Sequence, residues 1–208
     1  MAELRYDRLK VRLTFFEEVL GTSPNNEQLH DDYIASKAPD ARSRAEEIEA
    51  IGTGDYIEKQ MTVFPRTEDG KPFVWDYQIK GMFKDNCGGL RKVDGSDSSK
   101  LSAYKKIIDK NIFVDERRIP IQNYGRIGEI QRPLRADTPQ GPRNSLAHSE
   151  TVPAGSYIEF TVKFFNKLKG VKVDLIDVIR EWLDFGAESG FGQWRNSGKG
   201  RFTWEEIQ

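Results

Sequence analysis

Ile158-Glu159-Phe160-Thr161-Val162-Lys163, Asp174-Leu175-Ile176-Asp177-Val178-Ile179-Arg180-Glu181-Trp182-Leu183 and Gly186-Ala187-Glu188-Ser189-Gly190-Phe191-Gly192-Gln193-Trp194-Arg195-Asn196-Ser197-Gly198-Lys199-Gly200-Arg201-Phe202 follow one another near the end of the chain. The first stretch alternates apolar and polar residues, which is the period of a half-buried strand. In the second, Leu175, Ile176, Ile179, Trp182 and Leu183 recur at helical spacing, with Asp174 as the expected N-cap. The third is a glycine-rich loop that ends in an apolar segment, Arg201 to Trp204, read as a last strand.

Working outward, Leu9, Val11, Leu13 and Phe15 alternate with Lys10, Arg12 and Thr14, which predicts a first strand. Ala45, Ile48 and Ile51 suit a short helix capped by Asp40 or Ser43 and ended by Gly52. Asp69-Gly70 between Met61-Thr62-Val63-Phe64 and Pro72-Phe73-Val74-Trp75 predicts a hairpin, with Pro65 placing its first strand at an edge. Ile79, Met82, Phe83, Cys87 and Leu90 have helical spacing and predict a helix over about 78–86, loosened at its end by Gly88-Gly89. Leu101, Tyr104, Ile107 and Ile108 mark a second helix, and short strands are expected at 111–114 and 118–122. From Gln122 to Thr151 no periodicity is visible, and the stretch is too long for an ordinary connection. The core order is strand, helix, strand, strand, helix, strand. That is an α+β plan of ferredoxin-like or RRM-like type. It is carried by a single domain over 1–208 with insertions at about 22–57 and 122–153.

The chain has 208 residues, 37% hydrophobic and 31% charged, with a net charge of −1. No apolar run approaches the roughly 20 residues of a membrane span. The charged N-terminus lacks a secretory signal, and a single cysteine, Cys87, fits a reducing cytoplasm. Two histidines and one cysteine speak against a structural zinc site, and no cofactor motif is present. The net charge hides an asymmetry. Asp40 to Glu58 holds six acidic residues and two arginines, whereas Arg117 to His148 holds six arginines and two acids. Arginine is the better phosphate fork, so the second stretch suits an anionic polymer. Opposite lobes on one chain also attract further copies of it.

The glycine loop sharpens that expectation. Five glycines lie between Gly186 and Gly200, and from Gly190 to Arg201 there is no acid and three cations, Arg195, Lys199 and Arg201. Backbone amides brought close by glycine, among cations, can hold phosphate. The spacing matches neither a P-loop nor a dinucleotide fold, since a helix precedes it and a strand follows.

Three motifs together resemble a known family. Gln78-Ile79-Lys80-Gly81-Met82-Phe83-Lys84 is similar to the motif that opens the first helix of the RAMP superfamily, whose members build CRISPR effector complexes. Asn144 to Phe160, with Val152-Pro153-Ala154-Gly155-Ser156, resembles the return of that family's thumb hairpin into a core strand. The glycine loop resembles the family's C-terminal glycine-rich loop. The resemblance runs from the first strand to the last, is nearest to the backbone subunit of type III effectors, and implies that the insertion at about 122–153 is a basic thumb β-hairpin. The acidic stretch Thr22 to Ile57 has no counterpart in that pattern. Gln193 and Trp194 stand where smaller or basic residues are usual.

The resemblance implies an RNA-binding protein that grips single-stranded or guide RNA by its backbone. Its partners would be copies of itself or other effector subunits stacked head to tail, in an antiviral ribonucleoprotein. A phosphate clamp from Lys80 and Lys84 is expected, with further contacts from Arg132, Arg135 and Arg143 and an apolar wedge from Leu134 or Leu146. In the loop the expected contacts are Gly190, Gly192, Arg195, Gly198, Lys199, Gly200 and Arg201, with Trp194 stacking on a base. Trp75 and Tyr77 are the other aromatic candidates, Trp75 being better explained as core. Two alternatives stay open: an endoribonuclease on the same fold, and a phage-carried mimic or inhibitor of an effector. For the enzyme the candidates are His30, as a general base, and Asp55 and Glu58, neither of which falls cleanly on the family's catalytic position. His148 is a further lone histidine, and Cys87 reads as a small buried hydrophobe.

Overall fold

Leu9, Val11, Leu13 and Phe15 are buried on one side of β1 (Asp7–Phe15), while Lys10 is exposed on the other. The same alternation runs through β10 (Tyr157–Phe164), where Ile158, Phe160, Val162 and Phe164 are buried. The two strands pair antiparallel so that these sets lie opposite each other: Leu13 against Ile158, Val11 against Phe160, Leu9 against Val162. Direct opposition of apolar side chains fixes the register, because a slip of one residue would turn both sets to solvent. β11 (Phe202–Glu206) joins the free edge of β1, and β6 (Ile112–Val114) joins the far edge of β10. The order is β11-β1-β10-β6, antiparallel throughout.

The computed structural model describes residues 5–24, 61–138 and 141–208, with backbone alone within 134–138 and 141–146. The acidic stretch, its expected short helix, and His30, Asp55 and Glu58 lie outside the described residues.

Two helices of equal length cover the apolar face of this sheet. α1 (Asp76–Leu90) turns Ile79, Met82, Phe83, Cys87 and Leu90 inward, and α3 (Leu175–Ser189) turns Leu175, Val178, Ile179, Trp182 and Leu183 inward. The Phe83 and Trp182 rings meet at 5.4 Å between centroids. On the other face of the sheet Arg12 pairs with Glu159 at 2.6 Å and with Glu205 at 3.2 Å. The fold is mixed α+β with an antiparallel sheet core.

The expected Asp174 cap is supplied differently. Asn166 accepts the Ile176 amide at 2.9 Å through its side-chain oxygen, while Asp174 makes no cap bond. Helix α1 also runs past its expected end, through Gly88 and Gly89. A side chain at Gly88 would lie 3.1 Å from the Tyr104 hydroxyl, and one at Gly89 would lie 3.4 Å from the Phe185 ring. These glycines make room for α2 (Tyr104–Asn111) and for α3 rather than ending the helix.

The stretch without visible periodicity, where the resemblance implies a thumb hairpin over about 122–153, forms a long hairpin. β8 (Gly128–Thr138) and β9 (Gly141–Val152) pair from Gly128–Thr151 out to Thr138–Gly141. Periodicity was invisible because the visible part of β8 has no buried face; its residues 128–133 are exposed or half-buried. The base of β9 is held by β2 (Val19–Leu20) on one side and by β4 (Met61–Val63) on the other, the latter parallel. β3 (Ser23–Pro24) completes this second sheet beside β4.

The Asp69-Gly70 turn is present, with Gly70 donating to Thr67 at 2.8 Å and a bridge between Arg66 and Pro72. Its flanks then part instead of forming a hairpin. β4 joins β3 and β9, whereas β5 (Phe73–Trp75) pairs with β7 (Arg118–Pro120). Pro65 therefore sits beyond a strand that has neighbours on both sides, and that strand is not an edge.

Gly186 tests this packing. A Cβ there would lie 2.7 Å from the Asn86 side-chain nitrogen and 3.1 Å from the Phe202 ring. Asn86 is buried and donates to the Trp182 carbonyl at 2.9 Å, so it cannot move freely. Gly186→Ala is expected to destabilise the protein by about 1–3 kcal/mol through overpacking. Gly81→Ala, in a helix interior with open space around it, is expected to stabilise by about 0.5–1 kcal/mol. Thermal denaturation of both variants checks the contrast.

Candidate nucleic-acid interface

Helix α3 ends where Gly190 takes φ 82° and its amide bonds the Gly186 carbonyl at 2.8 Å. The chain then leaves and returns along nearly the same path. Phe191 donates to the Gly200 carbonyl at 2.9 Å, and Gly200 donates to the Glu18 carbonyl at 2.8 Å. A side chain at Gly200 would fall on the Phe191 carbonyl, and one at Gly190 on the Lys199 carbonyl. Both positions therefore require glycine for close approach as well as for positive φ. Phe191 is buried beside Phe15, with ring centroids 6.1 Å apart. Between these crossed arms the loop turns through Trp194 at φ 56°, a short 3-10 turn at Arg195–Ser197, and Gly198 at φ 84°.

The cations of the loop do not stand alone. Arg195 pairs with Asp85 of α1 at 2.5 Å, Lys199 with Glu18 at 3.2 Å, and Arg201 with Glu188 of α3. Residues 190–201 carry no acid of their own, so neutralisation by α1, α3 and the turn after β1 was hidden from a reading of that segment alone. Asp85 was the findable partner: it lies four residues after Gly81 on a helix face that also holds Gln78, and all three line the same cleft.

Arg132 reaches this loop from β8. Its guanidinium lies 4.8 Å from the centre of the Trp194 ring and donates to the Gln193 side-chain oxygen at 3.2 Å. Its Nε is buried with no hydrogen-bond partner, and burial holds the group below its usual pKa. The Arg201 Nε is likewise unpartnered. Gln193 is the contact that sequence reasoning missed.

Two clefts flank the loop. A small one of about 190 Å³ lies against α1, lined by Gln78, Gly81, Asp85, Phe191, Gly192 and Arg195 among others. A larger open one of about 600 Å³ is lined by Arg132, Ser189, Gly192, Gln193, Trp194, Asn196 and their neighbours. The structure thus brings Arg132, Gly192, Trp194 and Arg195 to one place, with Gly190, Gly198, Lys199, Gly200 and Arg201 close behind them in the same loop.

It does not bring Lys80 and Lys84 there. Lys84 pairs with Asp109 of α2 at 2.5 Å. Lys80 donates to the Asp109 carbonyl at 3.2 Å and lies over the Phe113 ring, where burial lowers its pKa. Both occupy the face of α1 turned to α2, not the face turned to the loop. The side chains of Leu134, Arg135, Arg143 and Leu146 lie outside the described residues. Trp75 is buried beside Phe73, with Tyr77 packed against the pair. His148 faces Glu129 across the hairpin at 3.0 Å. Cys87 is buried, and desolvation raises its pKa. Among the described residues no group of three or more His, Cys, Asp or Glu converges to hold a metal ion. No helix among them is long and apolar enough to cross a membrane.

Comparison with protein-family models finds no match, and comparison with curated protein sequences finds none either.

The stacking of Arg132 on Trp194 is measurable as a coupling. In a double-mutant cycle of Arg132→Met and Trp194→Leu, followed by denaturant unfolding, the pair is expected to show about 0.5–2 kcal/mol of interaction energy. A coupling near zero would mean that hairpin and loop are merely adjacent.

Proposed function

We propose that this chain is an RNA-binding protein of RAMP type, with a ferredoxin-like core, that holds single-stranded RNA by its phosphate backbone. Three features support the reading. The sheet order is fourth, first, third, second among the core strands, with α1 and the shorter α2 after the first and α3 after the third. A long hairpin, the thumb of this reading, precedes the third core strand. A glycine loop links the second core helix to the last strand. The observation that carries the function is Arg132: a thumb guanidinium seated on Trp194 at 4.8 Å, with an unpartnered buried Nε, at the wall of a cleft of about 600 Å³. A buried charged donor without an acceptor is costly, and a phosphate oxygen satisfies it.

The ion pairs of the loop do not oppose this reading. Arg195 and Asp85 are 36% and 58% exposed. Pairs this open are worth about 0–1 kcal/mol, so a polyanion displaces the carboxylates at little cost. In this reading further copies, or other effector subunits, stack head to tail along the strand.

The same pairs favour a second reading. A loop whose cations are already neutralised also suits a diverged relative that mimics or inhibits an effector and binds RNA weakly.

Salt-dependent binding of a labelled single-stranded RNA separates the two. Replacing Arg195, Lys199 and Arg201 by alanine is expected to weaken binding and lower the slope of log K against log salt by about 2, near 0.7 for each lost contact. Asp85→Asn with Glu188→Gln is expected to tighten binding, by up to about fivefold for each released pair. Binding unchanged by both sets would favour the mimic.

The RNA itself is expected to stay intact in Mg²⁺ or Mn²⁺, as resolved on a denaturing gel. Cleavage that disappears in His30→Ala, Asp55→Ala or Glu58→Ala would instead place an endoribonuclease first.

A further inference from the structure

Opposite the glycine loop, at the other end of α3, lies a third cleft of about 410 Å³ between α2 and residues 165–173. Helix α3 has 15 residues, which separates the two ends by about 22 Å. The rim of the cleft carries Lys106, Lys110 and Lys169, and its floor is Ile107, Leu168 and Val171, all half-buried. Both walls are fixed. Phe165 donates to the Asn111 carbonyl at 3.3 Å, Leu175 to the Asn166 carbonyl at 2.9 Å, and Val171 to the Leu168 carbonyl at 3.1 Å.

The electrostatics differ from those of the loop. Arg195, Lys199 and Arg201 each have a carboxylate partner, whereas Lys106, Lys110 and Lys169 have none among the described residues. Neither do Lys105, Lys167 and Lys172 around them. The nearby acid of α2, Asp109, is held by Lys84. Positive charge therefore accumulates around an aliphatic floor.

That chemistry does not match a nucleic-acid strand. The lining holds no arginine to fork a phosphate and no aromatic ring to stack a base. It matches a segment that is acidic and aliphatic together. The chain contains one: Glu46-Glu47-Ile48-Glu49-Ala50-Ile51, three carboxylates and two isoleucines within six residues. The excursion that holds it, 25–60, leaves from β3 and returns at β4. Those strands pair Ser23 with Val63, and Thr22 lines the small cleft beside the glycine loop. Its base is thus at the end of the molecule remote from the lysines. We infer that the lysine cleft docks Glu46–Ile51 of a second copy of this chain. The contact joins two different surfaces, so it is heterologous and can repeat. It does not depend on the RNA reading, and it forms without RNA.

The test uses the full-length chain free of nucleic acid. Unlabelled and ¹⁵N-labelled protein are mixed and treated with a carbodiimide, which joins a carboxylate to a lysine amine in contact, with loss of water. Peptides are then read by mass spectrometry. The expected result is amide links from Glu46, Glu47 or Glu49 to Lys106, Lys110 or Lys169 that combine the two isotopes. Self-association, followed by sedimentation, is expected to weaken by at least about tenfold when the three lysines become glutamate, as for charge reversal across a contact. It should weaken equally when the three glutamates become lysine, and recover when both sets are reversed in one chain. Thermal denaturation verifies that each variant is folded. Links within single-isotope chains only, links spread over lysines outside the cleft, or no recovery in the combined reversal would each overturn the inference. So would links suppressed by a single-stranded RNA that binds the cleft directly.

Discussion

The close crossing of Phe191 over Gly200 holds three parts of the molecule at one point. It closes the end of α3, starts β11, and receives the end of β1, where Phe16 donates to the Arg201 carbonyl at 3.1 Å. Without a side chain at 200 the two backbones pass close enough for the Phe191–Gly200 hydrogen bond, and Phe191 drops beside Phe15 and Phe202 in the core. The outer loop is thereby mounted on a rigid base. Its positive-φ turn at Trp194 presents the indole to Arg132 of the hairpin. Core packing, the position of the loop and the seat of the hairpin all follow from one contact that only glycine permits.

Charge is distributed along α3 in a way that the net value of −1 conceals. Around its C-terminal end the loop cations Arg195, Lys199 and Arg201 are each matched by an acid, while among the described residues Arg132 is not. Around its N-terminal end lysines collect with no acid partner among the described residues. Screening shortens the reach of such fields to about 8 Å in physiological salt, so the two ends act as separate surfaces. A ligand that displaces weak pairs suits the first end, and a ligand that supplies missing charge suits the second.

The sheet was legible in the sequence because its strands are one-sided. Leu9, Val11, Leu13 and Phe15 in β1, and Ile158, Phe160 and Val162 in β10, alternate because one face is buried. The inner face of α3 was legible for the same reason. The hairpin left no periodic mark, since residues 128–133 of β8 have no buried face, and only the motif from Asn144 to Phe160 pointed to it. Gly88 and Gly89 misled because their meaning lies in Tyr104 and Phe185, which approach them from other elements. The site shows the same division. Its cations and glycines were visible as a cluster, but the carboxylates that answer them come from positions as distant as Asp85 and Glu18. Proximity in space, not composition, decides whether a cation is spoken for.

The hairpin shows how an exposed edge is kept safe for use. Among the described residues β8 lies on the outside of its sheet and pairs with β9 alone. An unpaired edge of this length invites further strands. β8 carries Pro133, which lacks an amide donor, and charged residues at Glu129, Arg132, Arg135 and Asp137. Proline and charge both discourage edge-to-edge pairing. At its base the ribbon is anchored by Glu150, which accepts the Phe64 amide at 2.9 Å and pairs with Arg66 at 2.6 Å. A two-stranded ribbon alone is marginal in water, so this anchor and the Arg132 stack decide where it points. A ribbon fixed at its root, carrying proline and charge along its edge, and seated through Arg132 on the glycine loop keeps one orientation to the core.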